Sequence, residues 1–319
     1  MLVFADRDDI GISRMVERLQ RETSVIWWKF GEPETSVSVD VGFNNVWLEQ
    51  RDVNVTQEDF ACARVVIYRR RFHFPRPLVT SSLTTDADRS FSEREWSSLI
   101  DAILIREEQR SRAVWLNSPS ATLRCNNKLS LLLRAADRGV PMAPFRVSTP
   151  VRFPSRALNG VVTKAISADE RIDSSRYLTT ALVPPETLQE IENVHLSTPC
   201  LLQHRIQVQA ELRIFQILED TIAVRLKPSA DHIDIRYSSA REMAPHMTEI
   251  SPELRSTLKH FTKSQQLCFC AFDILITDDS RQFLVDITPN GSWDYFEDDE
   301  APAISEALAK VVANKVVAQ

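Results

Sequence analysis

Two apolar runs near the C-terminus, residues 268–276 and 282–287, constrain the fold of this chain more than any other feature. Both are rich in β-branched and aromatic residues, and only the polar stretch Thr277-Asp278-Asp279-Ser280 and Arg281 separates them. Runs of that length predict strands, and so short a polar connection predicts an antiparallel hairpin. Each run carries one acid inside its apolar stretch: Asp273 in Cys-Phe-Cys-Ala-Phe-Asp-Ile-Leu-Ile and Asp286 in Phe-Leu-Val-Asp-Ile. Pairing across the turn brings both carboxylates to one sheet face, and Thr288-Pro289-Asn290-Gly291 is expected to curl Asn290 back toward them.

The rest of the chain supplies partners for this hairpin. Residues 212–217 and 221–226 read as two further strands, 252–266 as the helix before the hairpin, and 304–316 as a closing helix. At the other end, strand signals at 2–5, 25–28, 37–41 and 65–68 alternate with a helix at 10–21. A second helix is expected to open at the capping box Ser92-Glu93-Arg94-Glu95 and to run through Trp96, Leu99, Ile100 and Ile103. Strands alternating with helices predict an α/β first lobe. Between the two ends, 127–136 is helical by pattern, stopped at Gly139, and Pro141 and Pro144 enforce an extended crossing. Strands at 161–165 and 201–206 with a helix at 185–192 complete a middle unit. The chain of 319 residues exceeds one small core, so the organisation predicted is an α/β domain at 1–118, a central lobe at 119–202 and a C-terminal lobe at 203–319.

Charge and composition narrow the class of partner. The formal charge of −6 argues against a general nucleic-acid binder. No run reaches the ~18 apolar residues of a membrane span, and the N-terminus lacks the basic and apolar regions of a signal peptide. Five scattered cysteines fit a reducing compartment better than a disulfide framework, so the expectation is a cytoplasmic protein without a membrane or nucleic-acid partner. Cys268 and Cys270 have no histidine partners nearby in sequence, and the six histidines form no H-E-x-x-H pattern.

The candidate chemistry is that of a cation-rich cleft with a hard metal. Asp273, Asp286 and Asn290 offer three oxygen donors, which suit Mg²⁺ shared with substrate phosphates. Lys128 opens a predicted helix and Lys164 ends a short strand. A strand-borne lysine reaches polyphosphate as a point charge, while Arg213, with Arg225 and Lys227 on the next strand, offers an arginine fork. Taken singly, each is more often an ordinary salt-bridged residue. The basic stretch Arg69-Arg70-Arg71-Phe72-His73-Phe74-Pro75-Arg76 is either a solvated strand end or a surface that attracts an acidic partner.

In order along the chain stand Tyr68-Arg69-Arg70, Trp115-Leu116-Asn117-Ser118-Pro119, Asn127-Lys128 and Gly139-Val140-Pro141-Met142-Ala143-Pro144. They continue with Thr163-Lys164, Leu202-Gln203, Glu211-Leu212-Arg213, Asp234-Ile235-Arg236 and Phe283-Leu284-Val285-Asp286-Ile287-Thr288-Pro289-Asn290-Gly291-Ser292-Trp293. This collinear set resembles the ATP-grasp ligases, and among them the maturases of ribosomally made peptides of the microviridin or graspetide type. The resemblance implies an ATP-grasp fold of three lobes, with ATP between the central and C-terminal lobes. It implies that Lys128 and Lys164 contact ATP and that Gln203, His204 and Ile206 lie on the linker strand reading adenine. By the same resemblance Arg213 stands near the transferred phosphate, Asp273 and Asp286 hold Mg²⁺ with Asn290 the nearest candidate for a third ligand, and Asp234 and Arg236 stand beside the acceptor peptide; Arg225 is a catalytic candidate from its place on the next strand.

The sequence departs from the family at Asp286, where Glu is usual, at Thr288, where Asn is usual, and in residues 165–171, which lack glycine. The function implied is ligation of a side-chain carboxylate in a precursor peptide to a hydroxyl or amine, through an acyl phosphate. The partner implied is a peptide with a leader and an acidic core, which Arg69, Arg70 and Arg71 would attract; a homodimer is common in such families. Two alternatives stand beside it: a ligase acting on a small amino acid or other carboxylate, and a non-catalytic domain that binds peptide or nucleotide.

Overall fold

The computed structural model describes residues 1–69, 77–80, 85–149, 151–152, 160–166, 180–195, 197–229, 232–297 and 303–317. The N-terminal part runs β1 (Leu2–Asp6), α1 (Ile10–Leu19), β2 (Ile26–Phe30), β3 (Val37–Val41), β4 (Val46–Gln50), β5 (Val53–Thr56), α2 (Gln57–Cys62), β6 (Val65–Arg69), α3 (Asp86–Arg110) and β7 (Val114–Leu116). Four of these strands form a parallel sheet in the order β2-β1-β6-β7, and β3-β4-β5 form an antiparallel meander. β1 and β6 are buried along their whole length, as parallel strands covered on both faces must be. The meander strands β4 and β5 are short and part polar, so their sequence carries no strong strand signal.

α3 corrects one expectation. It opens at Thr85, whose hydroxyl accepts from the Asp88 backbone while the Asp88 carboxylate accepts from the Thr85 backbone. This capping box lies upstream of Ser92 and claims the helix start. Ser92-Glu93-Arg94-Glu95 is therefore helix interior.

The middle of the chain holds α4 (Pro119–Arg124), α5 (Lys128–Ala136), β8 (Phe145–Val147), β9 (Val161–Lys164), β10 (Ala181–Val183), α6 (Pro185–Ile191) and β11 (Leu201–His204). Its strands form an antiparallel sheet ordered β10-β9-β11-β8. The remainder is β12 (Ala210–Ile217), β13 (Asp220–Leu226), α7 (Ala240–Met243), β14 (His246–Thr248), α8 (Pro252–Ser264), β15 (Phe269–Ile276), β16 (Gln282–Thr288) and α9 (Ala303–Val317), with sheet order β14-β13-β12-β15-β16.

This five-stranded sheet is the centre of the molecule. One face carries Phe215, Val224 and Ala271 into a core shared with Val3 of β1, Ile67 of β6, Met15 of α1 and Leu308 of α9. The other face carries Leu212, Ile214, Phe272 and Ile274 against Leu131 and Leu132 of α5 and Leu258 and Phe261 of α8. Alternation along each strand sorts the two sets. Asn117 ties the first sheet to this one: its amide nitrogen donates to the Phe269 and Pro289 carbonyls (2.8 and 2.9 Å), and its oxygen accepts from Cys268 N and Phe269 N (2.8 and 2.7 Å). No helix among the described residues is long and apolar enough to cross a membrane.

Candidate functional site

Register decides which charges meet. Arg213 on β12 stands opposite Asp273 on β15, and Asp273 stands opposite Asp286 on β16. Cross-strand partners share a face, so the three side chains form a row across adjacent strands. The Arg213 guanidinium donates from Nη1 to Asp273 Oδ1 at 2.5 Å and from Nη2 to the Ser292 carbonyl at 3.2 Å.

Arg225 is not part of this row. Val224 is the register partner of Arg213, whereas Arg225 pairs with Leu212 and so lies on the opposite face. One residue of offset on a pleated strand reverses the side. The expectation that Arg213 and Arg225 act together is corrected by that alternation.

Two lysines enter from the middle of the chain. Asn127 caps α5 by accepting from Ser130 N at 2.8 Å, which fixes Lys128 as the first helical residue. Its Nζ lies 3.1 Å from Asp286 Oδ2. Lys164 ends β9 and donates from Nζ to the Val285 carbonyl at 3.0 Å. Both ammonium groups thus reach neighbouring residues of one strand, and both side chains are buried. The edge of β16 is covered by residues 141–143, through Leu284 N to Pro141 O at 2.8 Å and Ala143 N to Leu284 O at 3.1 Å.

The electrostatics follow from burial and pairing. Burial pulls the Lys164 pKa down, and Lys128 adds to that; Asp286 opposes it without prevailing. Burial pushes the Asp286 carboxyl up, but Lys128 and Lys164 outweigh it and hold the group below its ordinary range. Arg213 is pulled down by burial and raised further by Asp273, so its charge is secure.

Glu211 is a titratable group that the sequence reading left without a role. It stands two residues before Arg213, hence on the same face, and burial with the nearby Asp273 charge raises it to about 7. The signal was present in Glu211-Leu212-Arg213, since residues two apart on a strand share a side. Asp234 is also buried. It accepts from Thr180 N at 3.2 Å and lies within electrostatic reach of Lys164 and Glu211.

The linker strand shows an unusual feature. Gln203 on β11 is 1% exposed, and among the described residues neither its amide nitrogen nor its oxygen has a hydrogen-bond partner. His204 N donates to the Pro144 carbonyl at 2.8 Å, and half-buried Ile206 lies in the segment that crosses from β11 to β12. The Nε of Arg213 is likewise buried without a partner. Native proteins satisfy nearly all buried polar atoms, so this set fits a ligand that brings both a donor–acceptor edge and anionic oxygens, as a nucleoside triphosphate does.

Several expected residues fall elsewhere. Asn290 lines a small cavity with Ile12, Tyr68, Asn117 and Trp293, on the side of the first sheet. The turn closed by Gly291 N to Thr288 O at 3.1 Å carries it there. Among the described residues no three His, Cys, Asp or Glu side chains converge as a metal cage. Asp273 and Asp286 fit Mg²⁺ only as a pair whose remaining ligands are phosphate oxygens and water, a common arrangement for that ion.

Arg69 faces inward at 4% exposure, bonded to Asp9, Gly291 and Ser292. The expectation of a peptide-attracting surface arginine at this position is therefore corrected. Arg70 and Arg71, the side chain of Arg236 and residues 167–171 of the glycine-free loop lie outside the described residues.

No family model matches the sequence, and no curated protein matches it. Solved structures do. The macrocyclase MdnC of Microcystis aeruginosa MRC, bound with its precursor peptide MdnA, aligns with a TM-score of 0.77 at 20% identity over 98% of both chains. A Chryseobacterium gregarium RiPP-associated ATP-grasp ligase, in complex with ADP and a leader and core peptide, aligns at 0.73 and 17% identity over 98% of this chain and 96% of that one. The ATP-grasp ligase PsnB with minimal precursor, Mg and ADP gives 0.68 and 17% over 99% and 98%. The fold of this chain is the ATP-grasp fold, over nearly its whole length.

Proposed function

We propose that this protein is an ATP-dependent ligase that joins a side-chain carboxylate of a ribosomally made precursor peptide to a hydroxyl or amine of the same peptide. The observation that carries the proposal is the cleft itself. Lys128, Lys164 and Arg213, all buried, converge on Asp286, Val285 and Asp273, and on the strand paired with that of Lys164 the buried Gln203 amide has no partner among the described residues. Precursor peptides bound to the structurally similar MdnC and PsnB support the substrate class.

In this reading a carboxylate oxygen of the peptide attacks the γ-phosphorus of ATP, the bond to the ADP oxygen breaks, and an acyl phosphate forms. The hydroxyl oxygen or amine nitrogen then attacks the acyl carbon, loses its proton, and phosphate departs. Mg²⁺ held by Asp273 and Asp286 would supply charge neutralisation on the phosphates. Arg213 and Lys128, each paired with one of those aspartates, would supply positive charge to the phosphate oxygens of the bound nucleotide. Lys164 adds a third positive charge from the strand end, and Gln203 presents its amide to the adenine edge. By the family resemblance, Asp234 would stand beside the acceptor peptide, and its burial within electrostatic reach of Lys164 supports that reading. The chain needs no nucleophile of its own: positioning and electrostatic stabilisation carry the reaction.

Calorimetric titration with ATP and Mg²⁺ tests the reading. Wild type is expected to bind, with Lys164→Ala and Asp286→Ala each weakening affinity by roughly tenfold or more, as loss of a charge-assisted contact does. A short peptide encoded beside this protein, bearing Thr/Ser and Asp/Glu motifs, is then expected to lose one water mass per link formed. A folded wild type that binds no nucleotide, with or without that peptide, would sink the proposal in favour of a non-catalytic scaffold.

A further inference from the structure

We infer that Arg69, from the N-terminal sheet, is a positioning residue for Arg213: it holds the Gly291–Ser292 backbone against which the Arg213 guanidinium is braced. The inference rests on the phosphate-contacting role proposed for Arg213.

Two guanidinium groups hang on consecutive carbonyls of one turn. Arg69 Nη1 donates to Gly291 O at 2.9 Å, and Arg213 Nη2 donates to Ser292 O at 3.2 Å. Arg69 is fixed from behind. Its Nε donates to Asp9 Oδ2 at 2.6 Å, its Nη2 lies 3.5 Å from Ser292 Oγ, and its guanidinium carbon stands 4.3 Å from the Trp293 ring centre. Asp9, fully buried, also caps α1 by accepting from Ile12 N at 3.1 Å. The turn therefore takes its position from α1 and β6, elements of the N-terminal part.

Among the described residues Arg213 donates hydrogen bonds to Asp273 and the Ser292 carbonyl, and its guanidinium carbon stands 5.6 Å from the Phe215 ring centre. If Asp273 engages a metal ion, Ser292 O is the remaining hydrogen-bond acceptor, and Arg69 sets where that oxygen lies. The turn itself leaves no slack. A Cβ at Gly291 would stand 2.2 Å from the Ala271 Cβ and 2.7 Å from Arg213 Nη2, so the backbone already lies against the arginine it supports. Stability alone does not call for such an arrangement, because apolar residues of similar volume often serve as well as a buried ion pair.

The test compares Mg²⁺–AMPPNP with Mg²⁺–ADP affinity by calorimetry in wild type, Arg213→Ala, Arg69→Lys and the double variant. Arg69→Lys keeps a cation against Asp9, and so the fold, but cannot also fork to Gly291 O and Ser292. Wild type is expected to favour AMPPNP, and Arg213→Ala to lose that preference by roughly tenfold. Arg69→Lys should lose much of the same preference while its ADP affinity stays within about twofold. The double variant should be no worse than Arg213→Ala, since residues acting through one contact are not additive. Full preference retained in Arg69→Lys, or equal loss for both nucleotides, would reduce Arg69 to a structural ion pair and overturn the inference. A wild type that binds both nucleotides equally would overturn the Arg213 role, and the inference with it.

Discussion

Two buried polar clusters lie on either side of the turn that follows β16, and they are built on opposite terms. On the N-terminal side, Asp9, Arg69, Gly291 and Ser292 bond one another, and Trp293 donates to Ser305 Oγ at 2.8 Å while Glu297 accepts from the same hydroxyl at 2.6 Å. On the cleft side, Gln203 keeps both amide atoms unbonded and Arg213 keeps a bare Nε, although each is as deeply buried. Burial alone therefore does not separate these two clusters. Completeness of hydrogen bonding among the described residues does: a closed network fixes backbone, whereas an open one leaves its desolvation penalty to be offset by a ligand.

That distinction can be broken by substitution. The largest effect is expected from Arg69→Ala, which strands the Asp9 carboxylate in the interior and should cost about 3–5 kcal/mol of unfolding free energy. Urea denaturation reads it directly, and a loss below about 1 kcal/mol would mean that the closed cluster is not holding the two sheets together.

Next comes Glu211→Gln, which tests the cleft side through pH. The native carboxyl titrates at about 7 against an ordinary 4.5, raised by burial and by Asp273. The folded state therefore holds the proton more tightly, so this group's contribution is complete below 4.5 and fades as pH rises through 7. In metal-free buffer the wild type should lose up to about 3 kcal/mol over that window, and the variant should show a flatter urea-midpoint profile. Parallel profiles would contradict the strained carboxyl.

The smallest effect has the opposite sign. Gln203→Met removes an unbonded amide and should stabilise the ligand-free protein by about 1 kcal/mol, while weakening Mg²⁺–ATP binding. A destabilised Gln203→Met would show that the amide is satisfied in solution and that the contrast between the clusters is false.

Much of this was legible in the sequence where a local rule decides the outcome. The hairpin turn set the pairing as far as Ile274 with Leu284; a bulge at the next step, which no spacing announces, is what places Asp273 opposite Asp286 rather than Val285. The helix that Lys128 opens was legible, and the structure makes Asn127 its cap. Arg225 was misjudged because its face depends on one more residue of register, set by the tight turn that pairs Ile217 with Asp220. Arg69 was misjudged for a different reason. Three arginines in a row read as surface, yet the first still belongs to the buried strand Val-Val-Ile-Tyr-Arg, and its counter-ion Asp9 lies far upstream on another element. Nor does sequence spacing say where Asn290 ends, because the turn after Thr288 is shaped by Asn117 and Arg69 from the first sheet. Long-range partners of that kind leave no periodic trace.

α9 has a consequence for the order in which the protein can be made. Leu308 and Val312 complete the core in which Val3, Ile67 and Met15 are buried. During synthesis from the N-terminus, α1 is the first element available to cover that apolar face of the first sheet, and the core is not complete until β12, β13, β15 and finally residues 303–317 follow. Through that interval part of the hydrophobic face is open to the cell, where chaperones act on such surfaces.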